Sequence, residues 1–136
     1  MDQSAFYALV ADDSPLIRMD AQAILTDAGF RVFGAAGGEE ALEILATHGH
    51  GIKLLFTDVQ MPPGTLTGFD LARCCASAWP HIGILVASGA TLPGSDDLPE
   101  RAVFIEKPFD DALVKRQLKR ILPEQQQPPC LRTSLP

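Results

Sequence analysis

The sequence predicts an α/β protein built on one parallel sheet, and two observations support this class. Five short, largely apolar segments alternate with segments whose apolar residues recur at helical spacing. The apolar segments also lack the polar alternation of strands that face water on one side, so helices are expected on both faces of the sheet. Alternating strands and helices imply right-handed β-α-β units in a single domain. The predicted strands are 5–11, 30–36, 53–57, 82–87 and 102–105.

Residues that start or stop helices delimit the segments between these strands. Ser14 can cap a helix, Pro15 fits its first turn, and Gly29 supplies a stop. Further helices are predicted over 38–45 and 68–78, and a last helix begins at Asp110 and runs to Leu122. The sequence therefore supplies a helix in three of the four connections between strands.

The fourth connection, residues 90–100, has the sequence ATLPGSDDLPE and disfavours a long helix. Pro93 lacks the N–H that a helix interior uses, Gly94 adds backbone freedom, and Pro99 disfavours helical geometry at the residue before it. We expect at most a turn or two of helix here. The segment should be among the most mobile parts of the fold.

Composition excludes several classes of protein. The chain has 136 residues, enough for one domain with its own core, and a net charge of −6 without a Lys/Arg cluster, which argues against nucleic acid as a partner. No apolar run approaches the roughly 20 residues of a membrane span, and the N-terminus does not resemble a signal peptide. A cytoplasmic protein with reduced cysteines is expected.

The C-terminal sequence differs in composition from the rest. After Leu122 it becomes Pro- and Gln-rich and loses its apolar periodicity. Such sequences often bury too little apolar surface to offset the entropy of ordering. We therefore predict a folded domain over 1–122 and a disordered tail over 123–136.

Polar residues stand at the ends of four predicted strands. Asp12 and Asp13 follow the first, Asp58 follows the third, Ser88 the fourth, and Lys107 comes shortly after the fifth. The carboxyl ends of parallel strands form the usual ligand-binding edge of an open α/β sheet. Each residue alone would most simply be a helix cap, a turn residue or a surface charge. Their joint placement is what indicates a site.

These residue types suit phosphoryl transfer. Neighbouring carboxylates repel one another, and oxygen ligands favour Mg²⁺ as the compensating cation. Asp58 could then act as a nucleophile on phosphorus and form an aspartyl phosphate. The Lys107 ammonium and the Ser88 hydroxyl could neutralise the phosphoryl oxygens.

Taken together, these motifs resemble a bacterial response-regulator receiver domain. The resemblance covers about residues 5–122, and it rests on the acidic pair, the turn DVQMP that starts at Asp58, Ser88 before a small residue, and Lys107-Pro108 before the last helix. It implies a flavodoxin-like, doubly wound sheet of five parallel strands in the order 2-1-3-4-5.

The resemblance also assigns roles residue by residue. It implies that Asp58 is the phosphoacceptor, assisted by Ser88 and Lys107, and that Ser88 and Phe104 move when the protein switches. Mg²⁺ would be held by Asp12, Asp13, Asp58 and the backbone carbonyl of Gln60, with Asp13 the more direct ligand than Asp12.

The implied partners are a sensor histidine kinase or a histidine phosphotransfer protein, and an unidentified downstream protein. Phosphorylation would either switch the interaction with that downstream protein or drain phosphate from the kinase. No DNA-binding domain, membrane contact or further enzymatic activity is expected beyond the chain's own phosphotransfer and dephosphorylation. Two alternatives remain open. One is a phosphatase with an aspartyl-phosphate intermediate, although such enzymes usually carry a second acid where Gln60 stands. The other is a pseudo-receiver that is never phosphorylated.

Overall fold

The computed structural model describes residues 5–62, 64, 66–89, 92–94 and 97–133. The strands are β1 (Tyr7–Ala11), β2 (Arg31–Ala35), β3 (Ile52–Asp58), β4 (Gly83–Ser88) and β5 (Val103–Glu106). The helices are α1 (Pro15–Asp27), α2 (Gly38–His48), α3 (Gly68–Ala78), α4 (Asp111–Ile121) and α5 (Pro129–Thr133), with a 3-10 turn at Glu124–Gln126. Every predicted strand and helix is present within a few residues of its predicted bounds. Within the described ranges no helix combines the length and the apolar character of a membrane span.

All five strands run parallel, in the order β2-β1-β3-β4-β5. The chain passes from β1 outward to β2, and then crosses back to add β3, β4 and β5 on the other side. The order therefore reverses between β1 and β3, which is where open α/β sheets form their binding crevice. The predicted strand order is confirmed.

Two apolar cores flank the sheet. Successive residues of β1 point to opposite faces, so that Leu9 belongs to one core and Val10 to the other. Helices α2 and α3 cover the first face, for example through the fully buried Leu45. Helices α1 and α4 cover the second, where Leu118 is fully buried. This two-sided burial explains why the strands are almost wholly apolar.

The long connection between β4 and β5, residues 89–102, is called the β4–β5 loop below. Its described residues 92–94 and 97–102 form turns and irregular backbone without a helix, as predicted, while 90, 91, 95 and 96 lie outside the described residues. Arg73 of α3 donates to the Asp97 carbonyl at 2.8 Å, and Arg101 donates to the Pro80 carbonyl at 2.5 Å. The loop's Leu98 packs against the core on the α2–α3 side. Two arginines and one leucine thus hold the loop where a helix would otherwise pack.

The prediction of a disordered tail is wrong for residues 123–133, called the C-terminal segment below; residues 134–136 lie outside the described residues. Gln127 is buried, and its side-chain amide donates to the carbonyls of Leu122 and Lys119 at 2.8 and 3.3 Å, near the end of α4. Leu131 is fully buried in the core on the α1–α4 side. The segment is ordered by the apolar side chain of Leu131 and by the amide of Gln127, which donates to carbonyls at the end of α4. Two isolated side chains of this kind produce no periodic pattern in the sequence.

Because Leu131 is the fully buried side chain of α5, we expect Leu131→Ala to destabilise the protein by about 2 kcal/mol or more through the cavity left behind. Urea unfolding would measure the loss, and hydrogen exchange would show reduced protection of the C-terminal segment. Arg132→Ala, on the exposed side of the same helix, is the matched control and should stay within about 0.5 kcal/mol of the parent. Equal stability of Leu131→Ala and the parent would mean that the segment contributes nothing to folding.

Candidate functional site

The sheet brings the predicted site residues to one edge. Asp12 directly follows β1, Asp58 is the last residue of β3, Ser88 is the last residue of β4, and Lys107 directly follows β5. These four strands are consecutive neighbours in the sheet. The backbone N–H of Lys107 donates to the carbonyl of Ser88 at 2.9 Å, which extends the pairing of the last two strands to the site itself.

Three carboxylates form the centre of the site. Asp12, Asp13 and Asp58 each offer an oxygen, and these oxygens lie within 4.8 Å of one another. Asp12 is only 3% exposed and Asp58 only 8%, whereas Asp13 is half-buried. Two acids are therefore largely removed from water beside a third that solvent can reach.

Lys107 bridges the two buried acids. Its Nζ lies 3.1 Å from Asp12 Oδ2 and 3.1 Å from Asp58 Oδ1. The backbone N–H of Val59 also donates to Asp58 Oδ1, at 2.8 Å. One oxygen of Asp58 is thus fixed by two donors from different elements, and the carboxylate is held in one orientation.

These contacts act on the ionisation of both partners. Burial raises the pKa of Asp58, and the nearby Asp12 charge raises it further, while Lys107 and the Val59 N–H oppose the shift. Burial alone would lower the pKa of Lys107, but its hydrogen bonds to Asp58 and Asp12 outweigh that effect and the pKa is raised. Lys107 consequently stays an ammonium ion at neutral pH.

The charge and donor set of this cluster fit a divalent cation. When ionised, the three carboxylates carry three negative charges and Lys107 returns one positive charge, which leaves an excess of two negative charges. All three acids offer oxygen atoms, the ligand type that Mg²⁺ prefers, and one of them is open to the solvent from which an ion would enter.

The remaining predicted residues lie around this cluster. Ser88 is 5% exposed. Phe104 is half-buried on β5, pairs in register with Val86, and packs against the core on the α2–α3 side. Gln60 is exposed two residues beyond Asp58. Their roles remain predictions.

The structure adds two residues that sequence analysis did not assign to the site. A Cβ at Gly68, the first residue of α3, would lie 1.8 Å from the Asp58 carbonyl oxygen, so only glycine lets this helix approach the acid so closely. Arg18, one turn into α1, donates to the backbone carbonyl of Asp12 at 2.8 Å. For Gly68 the sequence does carry a signal, because a glycine stands at the start of a predicted helix directly after a turn. For Arg18 the sequence carries no signal that distinguishes it from an ordinary surface arginine.

The family model described as the response regulator receiver domain matches residues 8–124. The chain belongs to this family, which assigns it to two-component signalling.

Individual relatives agree with this assignment. The chain is 32% identical over 120 residues to the sensor kinase CckA of Brucella abortus (strain 2308), covering 86% of this chain and 12% of that protein. It is 35% identical over 108 residues to the transcriptional regulatory protein PdtaR of Mycobacterium tuberculosis, covering 74% of this chain and 49% of that protein. The chain thus spans at most about half the length of these curated relatives.

Solved structures show the same fold. A response regulator receiver protein from Sinorhizobium medicae WSM419 superposes with a TM-score of 0.79 at 29% identity, covering 88% of this chain and 96% of that one. The chemotaxis response regulator CheY4 of Vibrio cholerae gives a TM-score of 0.71 at 30% identity, covering 87% and 99%. The fold predicted from sequence is confirmed.

Proposed function

We propose that Asp58 is the residue that accepts the phosphoryl group. The observation that carries this proposal is the position of its carboxylate. Asp58 is buried at the end of a central strand, lies in a cluster with Asp12 and Asp13, and is held by the Lys107 ammonium at 3.1 Å. Asp58 is the acid of the cluster that ends β3. The strands on either side, β1 and β4, also place site residues at this edge of the sheet.

The contacts of Asp58 also favour one of its oxygens. Val59 and Lys107 both contact Oδ1, so we assign the attack on phosphorus to Oδ2. The bond that forms joins this oxygen to phosphorus. The bond that breaks joins phosphorus to a ring nitrogen of the donor histidine, and the ring keeps the electron pair and takes up a proton.

Asp12, Asp13, Asp58 and the backbone carbonyl of Gln60 are the groups that would hold Mg²⁺. When bound, this ion would offset the negative charge of the carboxylates and of the incoming phosphoryl oxygens. Lys107 already contacts the acceptor and would donate to a phosphoryl oxygen, with the Ser88 hydroxyl closing on another. We propose that this closure moves Phe104 and orders the β4–β5 loop.

Phosphoryl labelling tests the proposal. Incubation with Mg²⁺ and a small acyl phosphate such as acetyl phosphate should add one phosphoryl group per chain, measured by intact mass spectrometry. Continuous hydrolysis of a phosphomonoester such as phenyl phosphate would instead indicate the phosphatase alternative. A chain that takes no label from acetyl phosphate or from any histidine kinase would be a pseudo-receiver.

For the donor we propose a sensor histidine kinase or a histidine phosphotransfer protein that docks on α1 beside the site. Leu16 and Met19 are large apolar residues that are 75% and 62% exposed and lie one helical turn apart. Between this part of α1 and Lys107 lies a surface cavity of about 270 Å³, lined in part by Ile17 and Phe109. An apolar patch next to the acceptor suits a protein that must bring a histidine to it.

The double variant Leu16→Ser, Met19→Ser should slow phosphotransfer from the kinase about tenfold, because it removes two apolar contacts from the docking surface. Labelling by acetyl phosphate, which needs no docking, should be unchanged. The kinase is identified by profiling all histidine kinases of the source organism, and the rate is followed with radiolabelled phosphate. Leu92→Ser, at another exposed leucine, is the matched control. Normal transfer to the double variant would exclude this face of α1 as the docking surface.

Lys107→Ala should bind Mg²⁺ as tightly as the parent or more tightly, because a competing positive charge has been removed from Asp12 and Asp58. It should nevertheless lose the response to phosphorylation, since the ammonium would no longer draw the phosphoryl group and the end of β5 together. Calorimetry measures the first effect, and hydrogen exchange of the β4–β5 loop before and after labelling measures the second. Lys115→Ala, which removes an ammonium paired with Asp27 and Asp111 away from the site, is the control. A normal loop response in Lys107→Ala would remove the role proposed for this residue.

A further inference from the structure

A second candidate site lies at the opposite end of the sheet from Asp58. It is an open cavity of about 460 Å³, called the basic cavity below, between the starts of β4 and β5 and the end of α4. The C-terminal segment supplies part of its wall. The lining includes Pro80, His81, Arg101, Val103, Arg120 and Ile121. The volume lies in the range of small-molecule sites.

The charge of the lining is the main observation. Arg101 and Arg120 both line the cavity, and none of the lining residues is acidic. Within the described part of the chain, neither arginine has a carboxylate at ion-pair distance. Glu100 and Glu124 are adjacent in sequence to lining residues without lining the cavity themselves. Two arginines, one from the β4–β5 loop and one from α4, therefore line one space, and their guanidinium groups keep unused donors.

The position of Arg101 is fixed, which favours binding. One nitrogen of its guanidinium donates to the Pro80 carbonyl at 2.5 Å, so the group does not have to be ordered by a ligand. His81 is similarly held, with Nε2 at 3.0 and 3.1 Å from the carbonyls of Gly49 and Ile52. The net charge of −6 does not prevent anion binding here, because charges more than about 8 Å away are largely screened at physiological ionic strength.

Apart from His81 and Gln126, the rest of the lining is apolar. Val103 comes from β5 and Ile121 from α4, and Pro80 and Pro123 add rigid apolar surface. We propose that the basic cavity binds a small organic anion, in which a phosphate or carboxylate group pairs with the two arginines and an apolar body rests on these side chains.

This site is separate from the phosphoacceptor site and does not depend on the function proposed for Asp58. Strand β4 runs from Gly83 in the basic cavity to Ser88 at the acceptor, a distance of about 17 Å at the usual rise per residue of a strand. A ligand bound here would contact β5, α4 and the C-terminal segment at once, and would stabilise the packing of that segment.

Titration of the ¹⁵N-labelled protein with phenyl phosphate and with benzoate, followed by NMR, tests the proposal. We expect saturable shifts of the amide signals of Gly83 and Val103, and the anion that binds more tightly identifies the preferred charged group. Inorganic phosphate, which lacks the apolar body, should bind more weakly. Arg120→Gln should weaken binding about tenfold through the loss of a charge-assisted hydrogen bond. Because Arg120 is exposed, this variant should fold normally.

Arg132→Gln, an equal loss of charge outside the basic cavity, is the matched control and should bind like the parent. The titration is repeated in Asp58→Asn, where binding should also persist. Shifts restricted to residues around Asp58, or an equal loss of affinity in Arg120→Gln and Arg132→Gln, would show that the cavity is not an anion site.

Discussion

Asp58→Asn is expected to take up no phosphoryl group from acetyl phosphate or from a kinase. The amide has nearly the shape of the carboxylate and can still accept from the Val59 N–H, so the fold around it should persist. It lacks the anionic oxygen that would attack phosphorus, and the effect should therefore be all or none. Intact mass spectrometry after incubation with Mg²⁺ and acetyl phosphate measures it, and Asp58→Ala should give the same result.

The control for this experiment is Asp20→Asn. Asp20 lies on α1 and lines the same surface cavity as Lys107, yet it does not belong to the acidic cluster. Labelling should be retained in this variant. Labelling of Asp58→Asn and Asp58→Ala at the parental rate would show that the phosphoacceptor is another residue.

The second large effect is expected for Asp13→Asn, which should weaken Mg²⁺ binding by on the order of tenfold or more, because an anionic ligand is lost from a divalent-ion site. Asp13 is the appropriate member of the cluster to replace. Asp12 also holds the Lys107 ammonium and accepts from the Ser14 N–H at 2.9 Å, so its loss would disturb several contacts at once.

Isothermal calorimetry, or the fluorescence of Trp79, measures the affinity of Asp13→Asn for Mg²⁺. Asp20→Asn again serves as the charge-matched control, since it removes one carboxylate from the same face without touching the cluster. Parental affinity in Asp13→Asn would exclude Asp13 as a ligand, and a loss of equal size in both variants would indicate only a long-range charge effect.

The sequence predicted the sheet and the placement of the acids because both depend on local signals. A strand such as β3 is apolar along its length and ends in Asp58, so its burial and its carboxyl end are visible in the chain itself. The constraint at Gly68 is different. It arises from the approach of α3 to the Asp58 carbonyl, a distance that only the folded chain defines.

The order of the C-terminal segment also depends on contacts that only the folded chain defines. Leu131 stands among proline, glutamine and polar residues, and its burial depends on the space left between α1 and α4. The contact of Pro128 with Gly29, which has a φ of 107°, likewise joins residues about a hundred positions apart. Compositional arguments about disorder cannot detect such a docking site, because they count how many apolar residues a segment has and not where one of them fits.

The manner in which the β4–β5 loop is held has a consequence for how related receivers can diverge. Arg73 and Arg101 both bind main-chain carbonyls, of Asp97 and Pro80 respectively, and every residue type carries such an oxygen. Loop side chains other than those of Arg101 and Leu98 can therefore change during evolution while the path of the loop over the sheet is kept. A loop whose path depends on few of its own side chains allows one receiver scaffold to acquire new protein partners without redesign of the phosphorylation site.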